Sequence, residues 1–229
     1  MLGRAAVAMW WQIEPAMRAE FEDWHTHEHM AERLGIPGFL RGTRWVALSG
    51  EPSYFILYEA ARLATLTTGA YLERLNNPTA WSRKLMPHHL NMVRSLCRVR
   101  ANAGAGYGAA LATLRFSPSQ NAVRWLAKEA LPALAQRRGL AAACLLQSQP
   151  LPAAQTAEQK IRGRDRSADW ILLASGYDAH PVADAARELR EALRTRGAAC
   201  EPAMPLYGPA YSLIASDLPR ERPRRPARP

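Results

Sequence analysis

The sequence lacks the features that mark several large classes of protein. Its three cysteines, Cys97, Cys144 and Cys200, are far apart and form no CxxC pair, which argues against a disulfide scaffold. No apolar run approaches the roughly 18 residues of a transmembrane helix. The short apolar start at 1–11 is followed by the acidic segment 20–23 rather than by a signal-peptide pattern. We therefore expect a cytoplasmic protein with buried thiols and no membrane partner.

A nucleotide-binding glycine motif is also missing. The run 103–108 (AGAGYG) has neither the G-x-G-x-x-G spacing nor the Lys-Ser/Thr pair of a phosphate loop. We interpret it as a linker, since glycine-rich runs between periodic segments are typical of connections.

The basic excess is concentrated in two segments. Of the net charge of +10, residues 219–229 contribute +4 and residues 160–166 contribute +3, which leaves +3 for the rest of the chain. Both segments are polar and poor in apolar residues, so we expect a disordered Pro/Arg tail and a mobile loop. A nucleic-acid-binding protein needs a basic face on its folded body, so we predict no nucleic-acid partner.

The 229 residues allow one large domain or two small ones. Apolar runs and turn residues predict two rounds of the order βαββαβ, the ferredoxin-like unit. The strands of the first round are predicted at 5–13, 39–48, 53–60 and 95–101, and its helices at 17–33, 63–75 and 80–92. The strands of the second round are predicted at 110–116, 140–147, 169–175 and 206–216, and its helices at 121–138 and 181–196. A polar, basic loop is predicted at 150–167.

These elements predict an α+β fold in which two tandem ferredoxin-like units form one pseudo-dimeric barrel. The predicted parts are an N-terminal unit at 1–102, the linker at 103–108, a degenerate C-terminal unit at 109–218 and the tail at 219–229. A barrel of this kind leaves room for a small-ligand cavity between sheet and helices. Such a chain would act as a monomeric pseudo-dimer or as a homodimer.

The first helix carries the strongest indication of a site. On a helical wheel at about 100° per residue, Met17, Phe21 and Trp24 define an apolar face with Glu28 at its centre. A carboxylate in that position is costly unless it is paired or faces a polar cavity. The alternatives are a frayed, solvated helix end and a structural ion pair with Arg33, Arg41 or Arg44.

Three histidines surround Glu28 in the sequence HTHEH at 25–29. His25 and His29 are four residues apart, so both rings could meet one metal ion, but zinc needs further ligands, from Glu32, His88 or His89. The order is also not the H-E-x-x-H of metalloproteases. We favour proton transfer by His29 and His25, with Glu28 orienting one of them, because histidine titrates near neutral pH.

Five further residues are candidates for ligand binding: Trp24 and Trp81 as cavity walls, Arg44 as the partner of an enolate or carboxylate, and one of the adjacent His88 and His89 facing inward. The alternative for the tryptophans is the ordinary core, and for Arg44 and the histidines the surface.

Three segments resemble a known superfamily. They are W-H-x-x-E-H-M-x-E-R-L-x-I-P-G-F-L-R-G at 24–42, SYFILYE at 53–59 and A-Y-L-x-x-L-x-N-P-T-x-W-S at 70–82. Over residues 5–100 the chain resembles bacterial proteins of the dimeric α/β-barrel superfamily, close to the EthD-like group. Where this chain has His25 or His27, such proteins typically have tyrosine or a small polar residue. The resemblance implies the fold, but the superfamily hosts cofactor-free oxygenases, isomerases, cyclases, dehydratases, haem proteins and ligand binders.

We therefore predict a small-molecule enzyme that acts on an apolar or aromatic compound by general acid/base chemistry without a bound cofactor. The alternatives are a haem- or metal-binding barrel protein, with a metal held by His25 and His29, and a non-enzymatic small-ligand-binding protein.

Overall fold

The computed structural model describes residues 1–48, 53–150, 155–163, 165–201 and 204–219. The strands of the first half are β1 (Ala5–Ile13), β2 (Phe39–Ala47), β3 (Ser53–Ala60) and β4 (His89–Gly104). Its helices are α1 (Arg18–Trp24), α2 (Met30–Leu34), α3 (Gly69–Asn76) and α4 (Ala80–Leu85). A single π-helical turn, His25–His29, joins α1 to α2 without a break.

The second half repeats this order. Its strands are β5 (Ala110–Ser117), β6 (Leu140–Ser148), β7 (Trp170–Gly176), β8 (Ala199–Cys200) and β9 (Leu206–Ile214). Its helices are α5 (Gln120–Trp125), α6 (Leu131–Gln136), α7 (Ala157–Arg162) and α8 (Ala179–Thr195). A π-helical turn, Leu126–Ala130, joins α5 to α6, so the first helix of each half carries the same irregularity.

Eight strands close into one antiparallel barrel. The strand order is β4-β1-β3-β2 in the first half and β9-β5-β7-β6 in the second, which is the ferredoxin-like order in both. The pairs β2–β9 and β4–β6 join the two sheets, and the short β8 adds to β5. The predicted fold class, two βαββαβ units closed into an α+β barrel, is confirmed. The predicted domain boundaries stay a prediction.

The core has three parts, and β1 shows how the sequence builds them. Ala8 and Trp10 point into the barrel, whereas Met9 and Trp11 point toward the helices of the first half. Both faces are buried, which is why β1 is apolar from Ala5 to Trp11 instead of alternating. A separate cluster lies between the second sheet and its own helices.

The last strand of the first half differs from its prediction. The segment predicted as helical at 80–92 is helical only to Leu85, with one further tight turn at Met86–His88, because Pro87 interrupts the hydrogen bonding of a helix. β4 then extends from His89 to Gly104, since its first part pairs with β1 and its second part with β6. Part of the predicted linker is thus strand, and the connection to β5 is residues 105–109.

Two other predictions fall on residues that the structure does not describe. The turn that Ser49, Gly50 and Pro52 predict at 49–52, between the strands predicted at 39–48 and 53–60, and the tail from Arg220 onward lie outside the described residues. No helix in the described ranges is long and apolar enough to cross a membrane.

Candidate functional site

The π-helical turn decides which side chains of the first helix face the sheet. In this turn the helix is wider, so each residue advances through a smaller angle than in an α-helix. His25 and His29 consequently lie on the buried face, 1% and 8% exposed, between the buried Trp24 and Met30. Glu28 is displaced to the flank of that face and is only half-buried. The helical-wheel placement of Glu28 at the centre of the buried face is therefore wrong.

Glu28 links two helices instead of facing a cavity. Its Oε1 accepts hydrogen bonds from Trp24 Nε1 at 3.1 Å and from Thr79 Oγ1 at 2.6 Å. Thr79 is also the N-cap of α4, where its hydroxyl accepts from the backbone N–H of Ser82. The ion pairs considered for Glu28 are absent in the described ranges. Arg33 pairs with Glu158 and Arg41 with Glu59, and Arg44 donates to the carbonyl oxygen of Glu22.

Three buried histidines meet under this helix. The rings of His25 and His29 lie 5.7 Å apart, and the ring of His29 stacks at 4.3 Å on Trp24. Nε2 of His25 is 3.3 Å from the hydroxyl of Tyr58 on β3. His89, at the start of β4, is 7% exposed and donates from Nδ1 to the carbonyl oxygens of Leu85 and Met86, each at 3.1 Å.

The environment keeps these imidazoles neutral at pH 7. Burial lowers the pKa of His25 well below its ordinary value, and the guanidinium of Arg44 acts in the same direction. Burial likewise lowers the pKa of His29, with a further contribution from Arg33. For His89, burial lowers the pKa to about 3. Three neutral imidazoles are proton acceptors at one place in the fold.

The second half contributes an ionic cover to this place. Arg33 on α2 donates from Nη2 to Oε1 of Glu158 on α7. Glu158 also accepts from Arg162 Nη1 at 3.3 Å, and Arg162 Nη2 donates to Asp165 at 3.2 Å. All four side chains are no more than 7% exposed.

The loop predicted at 150–167 as mobile is therefore partly a docked helix. Thr156 and Gln159 form a capping box that begins α7. Two charged side chains of this segment, Arg162 and Asp165, are buried and paired with each other rather than solvated. The predicted absence of nucleic-acid binding stays a prediction.

These side chains surround a small cavity. Its volume is about 30 Å³, which holds one or two water molecules. The polar part of its wall comprises the three histidines with Tyr58, Arg33, Arg94, Glu158 and Arg162. The apolar part includes Met9, Trp11, Trp24, Phe39, Met86 and Met92. A larger groove of about 770 Å³ lies beside it and shares Tyr71, Leu75 and Arg94 with the cavity wall.

Four predicted site residues thus come together: His25, His29, His89 and Trp24. The other four lie elsewhere: Glu28, described above, and Trp81, His88 and Arg44. Trp81 donates from Nε1 to Glu20 on the surface of the first half at 3.1 Å. His88 is partly exposed and lies 2.8 Å from Glu14. Arg44 is buried beneath α1, where Nη1 donates to the carbonyl oxygen of Glu22 at 2.9 Å.

The described residues hold no group of three or more His, Cys, Asp or Glu side chains arranged for a metal ion.

Sequence reasoning missed Tyr58, Arg33, Glu158 and Arg162. Arg33 had a usable signal, since it follows His29 by four residues on the same helix face. Glu158 had none, because it is 125 residues from its partner.

Comparison with solved structures identifies the fold. An anthrone oxidase-like protein superposes with a TM-score of 0.65 at 13% identity, over 93% of this chain and 94% of that one. A putative monooxygenase from Fusobacterium nucleatum gives 0.55 at 9% identity, over 93% and 98%. A heme-binding protein from Thermus thermophilus gives 0.52 at 10% identity, over 90% and 91%. No protein-family model and no curated protein matches the sequence.

The class that fold and topology define is therefore an α+β barrel of eight antiparallel strands, built within one chain from two ferredoxin-like halves. At these identities the likeness establishes architecture and not activity.

Proposed function

We propose that the protein is an enzyme that removes a proton from an apolar or aromatic small molecule, with His29 as the base and no bound cofactor. The reaction classes weighed from the sequence, namely oxygenation, isomerisation, cyclisation and dehydration, can all begin with this step. His25 is the second candidate base. The role first assigned to Glu28, orienting a histidine, passes in this proposal to Tyr58.

One observation carries the proposal. The Nδ1 atoms of both His25 and His29 are buried and have no hydrogen-bond partner among the described residues. A buried polar nitrogen without a partner costs about 1–3 kcal/mol, so such atoms call for a ligand or water. Both imidazoles line the cavity, whose apolar walls are tryptophan, phenylalanine and methionine side chains. The cavity itself holds only one or two water molecules, so an aromatic substrate would occupy the adjoining groove of about 770 Å³ with its reacting edge at the cavity.

The proton transfer creates a cation on the protein and an anion on the substrate. When His29 takes a proton from a carbon or oxygen of the substrate, the imidazole becomes a cation and the substrate becomes an anion. A base with a lowered pKa is weak, so the reaction needs stabilisation of that anion. Arg33 in the cavity wall can keep its pair with Glu158 and offer another of its N–H donors to that anion.

Tyr58 suits a positioning role toward His25. Its hydroxyl is buried, and burial raises the pKa of Tyr58, so the group stays protonated at neutral pH. At 3.3 Å from Nε2 of His25 it fixes the orientation of that ring.

Two observations support a reaction without haem. The second half contains one histidine, His180, whose side chain is 98% exposed and lies outside the core. The adjoining groove of about 770 Å³ is the space of a size for a tetrapyrrole, and no histidine lines it, because the histidines of the first half border only the small cavity or lie outside both spaces. The residues present therefore do not fit haem, and we route no step through it.

The test uses two aromatic ketones with acidic methylene protons, anthrone and 2-tetralone. Exchange of these protons for deuterium is followed by NMR at pH 7 in the presence of EDTA, with oxygen uptake recorded in parallel. We expect the protein to accelerate exchange of at least one ketone by about 10²-fold or more over buffer, which is the scale of general base catalysis. Exchange at the buffer rate for both, with the ketones bound, would make the protein a ligand binder rather than an enzyme.

A further inference from the structure

Charged side chains line both the cavity and the larger groove beside it. Arg33 and Arg162 share Glu158, and Arg162 also pairs with Asp165. Arg94 is the remaining cation of the two linings, and the exposed Asp169 is the remaining carboxylate.

Arg94 makes no direct ion pair in the described part of the chain. It lies on β4 and is half-buried, and its Nη2 donates to the hydroxyl of Tyr71 at 2.8 Å. Against the effect of burial, Tyr71 and the nearby carboxylates of Asp165 and Glu158 raise the pKa of Arg94, but both carboxylates are bound to other arginines. Its backbone N–H donates to the carbonyl oxygen of Arg166 at 2.8 Å, which fixes this part of β4 against the segment after α7. The guanidinium is always charged and has five N–H donors, so it can bind a further anion beside Tyr71.

Arg94 stands where the cavity meets the larger groove, which we call the side groove. Arg94, Tyr71 and Leu75 line both spaces. With a volume of about 770 Å³, the side groove is in the size range of pockets that bind small molecules. Leu72, Leu96 and Trp170 give it an apolar surface. Of the two carboxylates that line it, Asp165 is paired with Arg162, and Asp169 accepts a hydrogen bond from the hydroxyl of Ser117.

We infer that the side groove binds an aromatic carboxylate, with the carboxylate paired to Arg94 and the ring system directed toward the histidine cavity. A guanidinium has five N–H donors in a planar fork, so Arg94 can keep its bond to Tyr71 and still bind a carboxylate through two others. Apolar side chains on the groove wall bury the rings. This inference rests on the proposed function, for which it specifies the substrate class.

The experiment compares two probes of the same shape and different charge, 2-naphthoate and 2-naphthamide, by isothermal titration calorimetry at pH 7. We expect the wild-type protein to bind the carboxylate at least about tenfold more tightly than the amide, the scale of one charge-assisted pair. Arg94→Gln abolishes this preference and leaves the affinity for the amide unchanged, and Arg94→Lys keeps part of the preference.

Arg98→Gln is the matched control, because Arg98 is an exposed arginine four residues further along β4 that lines neither space. It should keep the full preference. Equal affinity for the two probes, binding of neither probe, or an equal loss in Arg94→Gln and Arg98→Gln would overturn the inference. Naphthoate binding through Arg94 without proton exchange on the ketones would keep Arg94 as a carboxylate-binding residue and remove the proposed function, and with it the assignment of the carboxylate as a substrate.

Discussion

Arg33 and Glu158 are separated by 125 residues in the chain, yet they form an ion pair in which each side chain is only 5% exposed. The pair joins α2 of the first half to α7 of the second. The second half therefore does more than complete the barrel, because it supplies the cover of the cavity that the histidines of the first half border.

The first prediction concerns the stability of this cover. Glu158→Gln removes the carboxylate that both Arg33 and Arg162 need, and it leaves two buried guanidinium groups undercompensated. We expect the free energy of unfolding to fall by about 3–5 kcal/mol. Urea denaturation measures it. The control is Glu188→Gln, which breaks the exposed pair with Arg137 and should cost no more than about 1 kcal/mol. Equal effects of the two substitutions would show that the Glu158 pair does not stabilise the fold.

The second prediction concerns acid. His25, His29 and His89 have lowered pKa values in the folded protein, and in the unfolded chain they return to about 6.5. Below pH 6.5 the unfolded state binds more protons than the folded state, so stability is lost as the pH falls toward the folded pKa values. At pH 5, each such histidine costs about 2 kcal/mol relative to pH 7.

Melting temperatures between pH 7 and pH 4.5 test this prediction. His89→Gln should flatten the pH dependence, because it removes one group that cannot protonate in the folded state. His27→Gln should leave the dependence unchanged, since His27 is exposed. A pH profile that is the same in wild type and His89→Gln would contradict burial of a neutral His89.

The third prediction separates Glu28 from the histidines. Glu28 accepts hydrogen bonds from two neutral groups, Trp24 and Thr79, and a glutamine oxygen can accept both. Glu28→Gln should therefore lower the free energy of unfolding by less than about 1.5 kcal/mol. It should also leave ketone exchange within about twofold of wild type, because the residue does not border the cavity. A loss of exchange comparable to that of His29→Gln would return Glu28 to the catalytic group.

Much of the fold could be predicted because its signals are local. Apolar segments such as β1 and β3, each followed by a turn or a helix start, mark the order of strands and helices. The helix containing His25 and His29 was also recognisable as the candidate site, which stays a prediction. Its orientation was not, because a wheel at a constant angle per residue has no place for a π-helical turn, and the exchange of Glu28 for His29 on the buried face follows from that turn.

The cover of the cavity could not be predicted for a different reason. α7 has six residues and a polar, charged sequence, which is typical of an exposed loop. It is helical here because Glu158 and Arg162 find partners in the first half and beside α7, and such long-range pairs leave no periodic pattern in the sequence. β4 was predicted too short mainly because residues 89–92 were assigned to the preceding helix, whereas the start of β4 pairs with β1. Only its last residues, 102–104, depend on pairing with β6 of the other half.

The most direct test of the account compares two histidines of one helical turn. His29 is buried against Trp24 and lines the cavity, whereas His27 is exposed. Deuterium exchange of the methylene protons of anthrone and 2-tetralone is measured with wild type, His29→Gln and His27→Gln at equal folded concentration. The account predicts that His29→Gln lowers the protein-dependent rate by about 10²–10⁴-fold and that His27→Gln retains it. A His29→Gln protein that is folded and exchanges at the wild-type rate would contradict the central claim.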